Sequence, residues 1–249
     1  MRILTSVSFF LMLFSCPCFS QTDSLRTVAE KLLTPIPTEL QFPVSLYKEA
    51  TFASQNLNNG RVYYIYDSRM TEHQFFESRK WDNGAVIFEG QRFDSVGMMY
   101  DIFKDELVIR HVNGHPIILP AEKVEAFTNN GQIFKWYESG KGIEAQMRTG
   151  FYNVYYEGPS RLLIRRTKQR QEKIVDRRVI TLFPQKDFHY VRKGNQYQFV
   201  RTKKSVLKLF PEHKREMRRV LREENIHFRT NRSKAIGRMV ATHDAQTKL

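Results

Sequence analysis

The residue types in this sequence best able to do chemistry are its cations, and they sit at one end. Residues 161–249 carry 25 Lys and Arg against 8 Asp and Glu, whereas residues 1–160 carry 15 against 18, so the last third accounts for the whole formal net charge of +14. Nine arginines stand out: Arg161, Arg165, Arg166, Arg177, Arg178, Arg215, Arg218, Arg219 and Arg222. A guanidinium is a planar fork of donors that matches phosphate or carboxylate, so these nine are the candidate residues for binding an anionic partner. A solvated basic face is the plainer reading of the same residues.

Other chemistry has weaker signals. His111 and His115 flank Asn113-Gly114 and make half a metal site, but no third ligand adjoins them, and zinc takes three or four from the protein. His73, His189, His213, His227 and His243 are scattered along the chain. Neither metal nor any other cofactor is therefore expected. Ser95 and Ser139 lack the flanking glycines of a nucleophile elbow, and turn chemistry explains both. Glycine-rich phosphate loops are absent. Asp101, Asp105 and Glu106 are the densest acids; glycoside hydrolysis needs two carboxylates that folding brings together, but around a Lys104-Asp105 turn these read as surface acids. No catalytic set emerges.

The N-terminus bears on compartment. Met1-Arg2 is followed by an apolar run from Ile3 to Phe14, broken only by Thr5, Ser6 and Ser8, and then by Cys16-Pro17-Cys18-Phe19-Ser20-Gln21. This pattern predicts a signal peptide over residues 1–20, cut after Ser20, and the run is too short to span a bilayer. Leu13-Phe14-Ser15-Cys16 resembles a bacterial lipobox and gives the alternative, a lipoprotein acylated at Cys16. Both cysteines lie inside the signal, so the processed chain has no thiol for disulfides, catalysis or zinc. Export to the periplasm or outer membrane takes nucleic acid off the list of expected partners. It leaves anionic lipid, lipopolysaccharide or acidic glycan, with an envelope protein as a further candidate.

The elements that must position these residues read as α+β: mainly an antiparallel β meander, a sandwich or partial barrel of roughly ten strands, with two or three C-terminal helices. A helix over residues 23–34 and a linker fill 21–45, the β domain spans 46–202, and a basic helical tail over 203–249 packs on it. Strands are expected at Arg61–Tyr66, Ala85–Glu89, Gly97–Phe103, Glu106–Val112, Pro116–Leu119, Glu125–Thr128, Gln132–Tyr137 and Gly150–Tyr156. Arg161–Arg166 and Val179–Phe183 then bracket a charged stretch, and Phe188–Arg192 pairs with Tyr197–Arg201. Asn113-Gly114 reads as a type I′ hairpin turn. Tyr152, Val154 and Tyr156 alternate with Phe151, Asn153 and Tyr155, which places that strand centrally. Beyond Thr202 the apolar period becomes helical, with Pro211 at a first helical position and Asn231 as a cap.

Three stretches carry a resemblance: Tyr100 to Leu107 with the Asn-Gly turn, Gly150 to Gly158 leading into basic residues, and Lys203 to Asn225. On these the chain resembles a family of exported β-rich proteins of Gram-negative bacteria. The resemblance implies an export signal, a β meander and a basic helical tail, and brings no activity or binding site with it. The expectation is a non-enzymatic exported envelope protein binding an anionic partner. The alternatives are a carboxylate-dependent hydrolase of cell-wall or glycan substrates and a structural subunit of an envelope complex.

Overall fold

The computed structural model describes residues 56–64 and 72–247; the expected export signal, 23–34 helix and linker fall outside the described residues. The strands are β1 (Arg61–Val62), β2 (Asp82–Phe88), β3 (Gln91–Asp101), β4 (Glu106–Arg110), β5 (Pro116–Ile118), β6 (Val124–Asn129) and β7 (Gln132–Ser139). They continue with β8 (Gly142–Ile143), β9 (Gly150–Tyr156), β10 (Leu162–Lys168), β11 (Gln171–Val175), β12 (Arg178–Leu182), β13 (Gln185–Lys193) and β14 (Gln196–Val200). Helices α1 (Lys203–Leu209), α2 (Lys214–Glu223) and α3 (Arg232–Thr247) follow.

Twelve strands form one sheet in the order β1-β5-β4-β3-β2-β6-β7-β9-β10-β13-β14, with β8 beside β7, while β11 and β12 pair only with each other. Every ladder is antiparallel except the short β7–β8 pair. The expected α+β class holds, and the sheet is open rather than a closed barrel. β9 is central, between β7 and β10.

Turn chemistry fixes the registers. Glu89-Gly90 and Asn130-Gly131 have positive φ at both residues and join β2 to β3 and β6 to β7 as two-residue type I′ loops. Asn113-Gly114 corrects the expectation. There the Gly114 N–H donates to the His111 carbonyl and only Gly114 has positive φ, so the loop has three residues, a type I turn closed by a left-handed glycine. The cause is register: the His111 N–H pairs with the His115 carbonyl, leaving three residues between them rather than two. The charged stretch after β10 is also more ordered than its composition suggests, since β11 folds back on β12 through Asp176-Arg177, both at positive φ.

The sheet curls strongly. Tyr100 on β3 and Phe151 on β9 are four strand steps apart, roughly 19 Å in a flat sheet, yet their ring centroids lie 5.8 Å apart. Bulges supply the bend. At one of them Asp94 and Ser95 oppose Ala85, with Ser95 at φ 57°, and Gly84 lies so near β6 that an added Cβ would stand 2.0 Å from the Thr128 carbonyl oxygen. The concave face closes on an aromatic core in which Phe127 and Phe134 stack at 5.1 Å and Tyr100 meets both edge-on. Where the curl brings the ends together, the β3–β4 loop meets β10: Lys168 N–H donates to the Ile102 carbonyl, and the Lys168 ammonium to the carbonyls of His73 and Phe75.

A second core joins the helices to β10, β13 and β14 through Leu162, Ile164, Val191 and Val200 against Val206, Phe210, Met217, Leu221, Ile236 and Met239. Buried Asp244 of α3 fixes that layer by accepting the Ser160 N–H at 3.0 Å and the Tyr156 hydroxyl at 3.1 Å. Among the described residues no helix is long and apolar enough to cross a membrane.

Candidate functional site

The candidate site is built where the chain stops alternating. Thr202 caps α1: its hydroxyl accepts the Ser205 N–H at 3.1 Å, and its own N–H donates to the Ser205 hydroxyl. Starting the helix there turns Val206, Leu207 and Leu209 inward and leaves Lys204 and Lys208 exposed, with Lys203 half-buried. Phe210 ends α1, and Pro211 opens a 3₁₀ turn over Pro211–His213 that runs into α2. α2 buries Met217 and Leu221 and turns Arg215, Arg218, Arg219 and Arg222 outward. Between α1 and α2 lies an open groove of about 630 Å³ lined by Lys203, Lys204, Leu207, Lys208, Lys214 and Arg218. Five of the six lining residues are cations and none is a carboxylate. Among the described residues none of the five makes an ion pair.

The structure divides the nine arginines into three sets. Arg161, Arg165 and Arg166 sit on the β10 side of the sheet with their guanidinium groups engaged internally. Arg161 is 3 % exposed and pairs with Glu157 at 2.7 Å. Arg165 holds Asp105 at 3.1 Å and donates to the carbonyls of Arg148 and Thr149. Arg166 donates to Asp187 at 2.5 Å and to Asn153 at 3.0 Å. Arg177 and Arg178 are exposed at the tip of the β11–β12 arm, beside exposed Ile174 and Val179. Arg215, Arg218, Arg219 and Arg222 share the outer side of α2, where Arg219 makes a solvent-exposed i,i+4 contact to Glu223 at 3.6 Å, a pair worth little. Of the nine, only Arg218 lines the groove. Its lysines escaped an arginine-centred reading, although Lys203, Lys204 and Lys208 are spaced to share one side of a helix around Leu207, with Val206 and Leu209 on the other.

Of the acids expected at the surface, Asp101 is buried and Asp105 and Glu106 are partly buried. Asp101 is fully enclosed: its carboxylate accepts the Tyr63 hydroxyl at 2.6 Å and the N–H groups of Phe103 and Lys104, closing the β3–β4 loop. Asp105 accepts the Tyr100 hydroxyl at 2.5 Å and the Arg165 guanidinium. Gly150 makes room for it, since a Cβ there would lie 2.1 Å from Asp105 Oδ2. Burial pushes both carboxyls above the usual range, while their hydrogen bonds pull the other way. Each carboxylate is thus taken up in tying the loop to the sheet.

The histidines also separate. His111 Nδ1 accepts the Asn113 N–H, so it serves its own turn. His189 is buried and bonded to the Ser233 hydroxyl, and burial lowers its pKa to about 4. His213 and His243, thirty positions apart, are not scattered: their Nδ1 atoms meet at 2.8 Å, with Glu212 Oε1 3.6 Å from His243 Nδ1.

These features define an α+β protein whose curled open sheet carries a cationic helical layer. No family model, curated protein or solved structure matches the chain.

Proposed function

We propose that this is a binding protein rather than a catalyst, exported to the cell envelope, that holds a phosphate-bearing anionic surface of the lipopolysaccharide or anionic-lipid kind against α1 and α2. The observation that carries the reading is the groove of five cations without a carboxylate. Concentrating like charge in a concave site raises its potential and favours a polyanion over water. The neighbouring Arg215, Arg219 and Arg222 extend the same field along α2. The N-terminal signal and the resemblance to exported β-rich proteins support the envelope as the place. The internal engagement of Asp101 and Asp105 favours binding over a carboxylate-dependent hydrolase.

The test is co-sedimentation with lipopolysaccharide-containing and with neutral vesicles across a salt series. Selective binding that weakens with salt is expected. A cation near an anionic surface contributes about 1 kcal/mol, so the triple variant Lys204→Gln/Lys208→Gln/Lys214→Gln should bind roughly 100-fold more weakly. No binding by the wild type at low salt would overturn the proposal. Equal loss on replacing Arg177 and Arg178 instead would move the contact to the β11–β12 arm.

A further inference from the structure

The turn that leads into α2 holds a second cluster that anion binding does not use. Pro211 sets the 3₁₀ turn that presents Glu212 and His213 together, and α3 carries His243 across to them. The His213 and His243 Nδ1 atoms stand 2.8 Å apart, Glu212 Oε1 lies 3.6 Å from His243 Nδ1, and the three atoms all fall within 4.8 Å of one another. In a tetrahedral centre with bonds of about 2.0–2.1 Å, neighbouring ligand atoms are about 3.4 Å apart. The observed spacings straddle that value.

The ring that matters most is already fixed. His243 stacks on Phe210 with centroids 3.9 Å apart and planes 24° apart, and 12 % of its side chain is exposed. Its surroundings are of mixed charge: Asp244 and Glu212 are negative, and Lys193, whose ammonium donates to the Leu209 carbonyl, is positive. Burial lowers its basicity and favours the neutral imidazole that a metal needs.

We propose that Glu212, His213 and His243 bind a divalent transition-metal ion of the zinc class, with one coordination position left to solvent. Two imidazoles and one carboxylate form a ligand set zinc accepts. Without an ion the two Nδ1 atoms share one proton in a hydrogen bond. On binding, the donor ring carries its proton on Nε2 instead, so both Nδ1 lone pairs face the metal and no net proton is released. The ion staples the 3₁₀ turn that leads into α2 to the C-terminal half of α3, one residue before groove-lining Lys214.

The experiment titrates Zn²⁺ into the untagged protein against a chromogenic chelator, with Co²⁺ absorption as a second readout. One equivalent per chain, visible bands of four-coordinate Co²⁺ and a raised melting temperature are expected. Glu212→Gln and His213→Gln, both on the outer side of the turn, should each weaken Zn²⁺ binding by at least the 10–100-fold typical of losing even a supporting group. The double variant His111→Ala/His115→Ala should leave it unchanged. Circular dichroism confirms that each variant is folded, and if His243→Gln unfolds, the other two decide. Undiminished binding in Glu212→Gln and His213→Gln, loss in the His111/His115 variant, or no binding at all would overturn the assignment.

Discussion

Arg166→Ala tests most sharply whether the basic residues form one binding face or belong to two different structures. Arg166 lies in β10 at 9 % exposure, donates to Asp187 at 2.5 Å and to Asn153 at 3.0 Å, and its guanidinium sits 5.7 Å from the Phe76 ring centroid. Removing one partner of a buried ion pair costs about 3–5 kcal/mol because the other charge is left uncompensated. Two features move the value to the lower end. Asp187 is one-fifth exposed and keeps the Gln185 amide at 2.9 Å, and Arg166 Nε is already buried without a partner. The expected loss is therefore about 3 kcal/mol, or roughly 6–12 °C in melting temperature for a chain of this size. Urea melts followed by tryptophan fluorescence are suitable, because Trp136 packs on Phe151 at 4.9 Å inside the first core. Asp187→Asn in a double-mutant cycle should show coupling, whereas Arg215→Ala and Arg219→Ala should stay within about 0.5 kcal/mol of wild type. A loss below 1 kcal/mol in Arg166→Ala, together with vesicle binding weakened as much as by Arg218→Gln, would refute the division of the arginines.

Three further outcomes are expected. With its pKa lowered to about 4 in the fold against 6.5 in the unfolded chain, buried His189 stays neutral where the unfolded chain takes up a proton. Stability should therefore fall by roughly 2–3 kcal/mol as pH drops from 6.5 towards 4, and pH-dependent melts of His189→Gln should lose that slope. Gly84→Ala should cost more than about 3 kcal/mol or prevent soluble folding, because its Cβ meets the β6 backbone at 2.0 Å; a thermal melt by circular dichroism decides. Replacing Asp176-Arg177 by Asn-Gly should relieve two positive-φ side chains and stabilise the β11–β12 arm by about 1 kcal/mol, read as slower amide hydrogen exchange in the arm with an unchanged global melt.

Much of the fold is legible from local pattern. β4 to β7 and β9 coincide closely with runs of apolar and aromatic residues between turn formers, and the change of period after Thr202 marks the helices. The first half of β3 is not, because Gln91, Arg92, Asp94 and Ser95 pair with β2 around a bulge and bury little surface. Nor is β11, whose Asp-Arg turn lacks the glycine or asparagine that announces such loops. Charge counts locate the basic third but cannot separate Arg161, Arg165 and Arg166, held by carboxylates and carbonyls of the fold, from the outward-facing cations of α1 and α2. The meeting of His213 with His243 depends on two helices crossing, and no spacing in the chain encodes it.

The strand order also dictates how the sheet can be assembled as the chain emerges. β2 through β5 form a self-contained meander of neighbouring hairpins, and its growth ends at β5 because β1 takes that edge. β6 adds instead to the opposite side of β2, pairing Val86 with Phe127, and β7, β9, β10, β13 and β14 extend the sheet in that direction. β2 is thus a seam: until residues 124–129 arrive, one side of it stays open. The curl that brings Tyr100 to Phe151 can close only after β9 has been added, so the aromatic core seals late, from material made in two instalments.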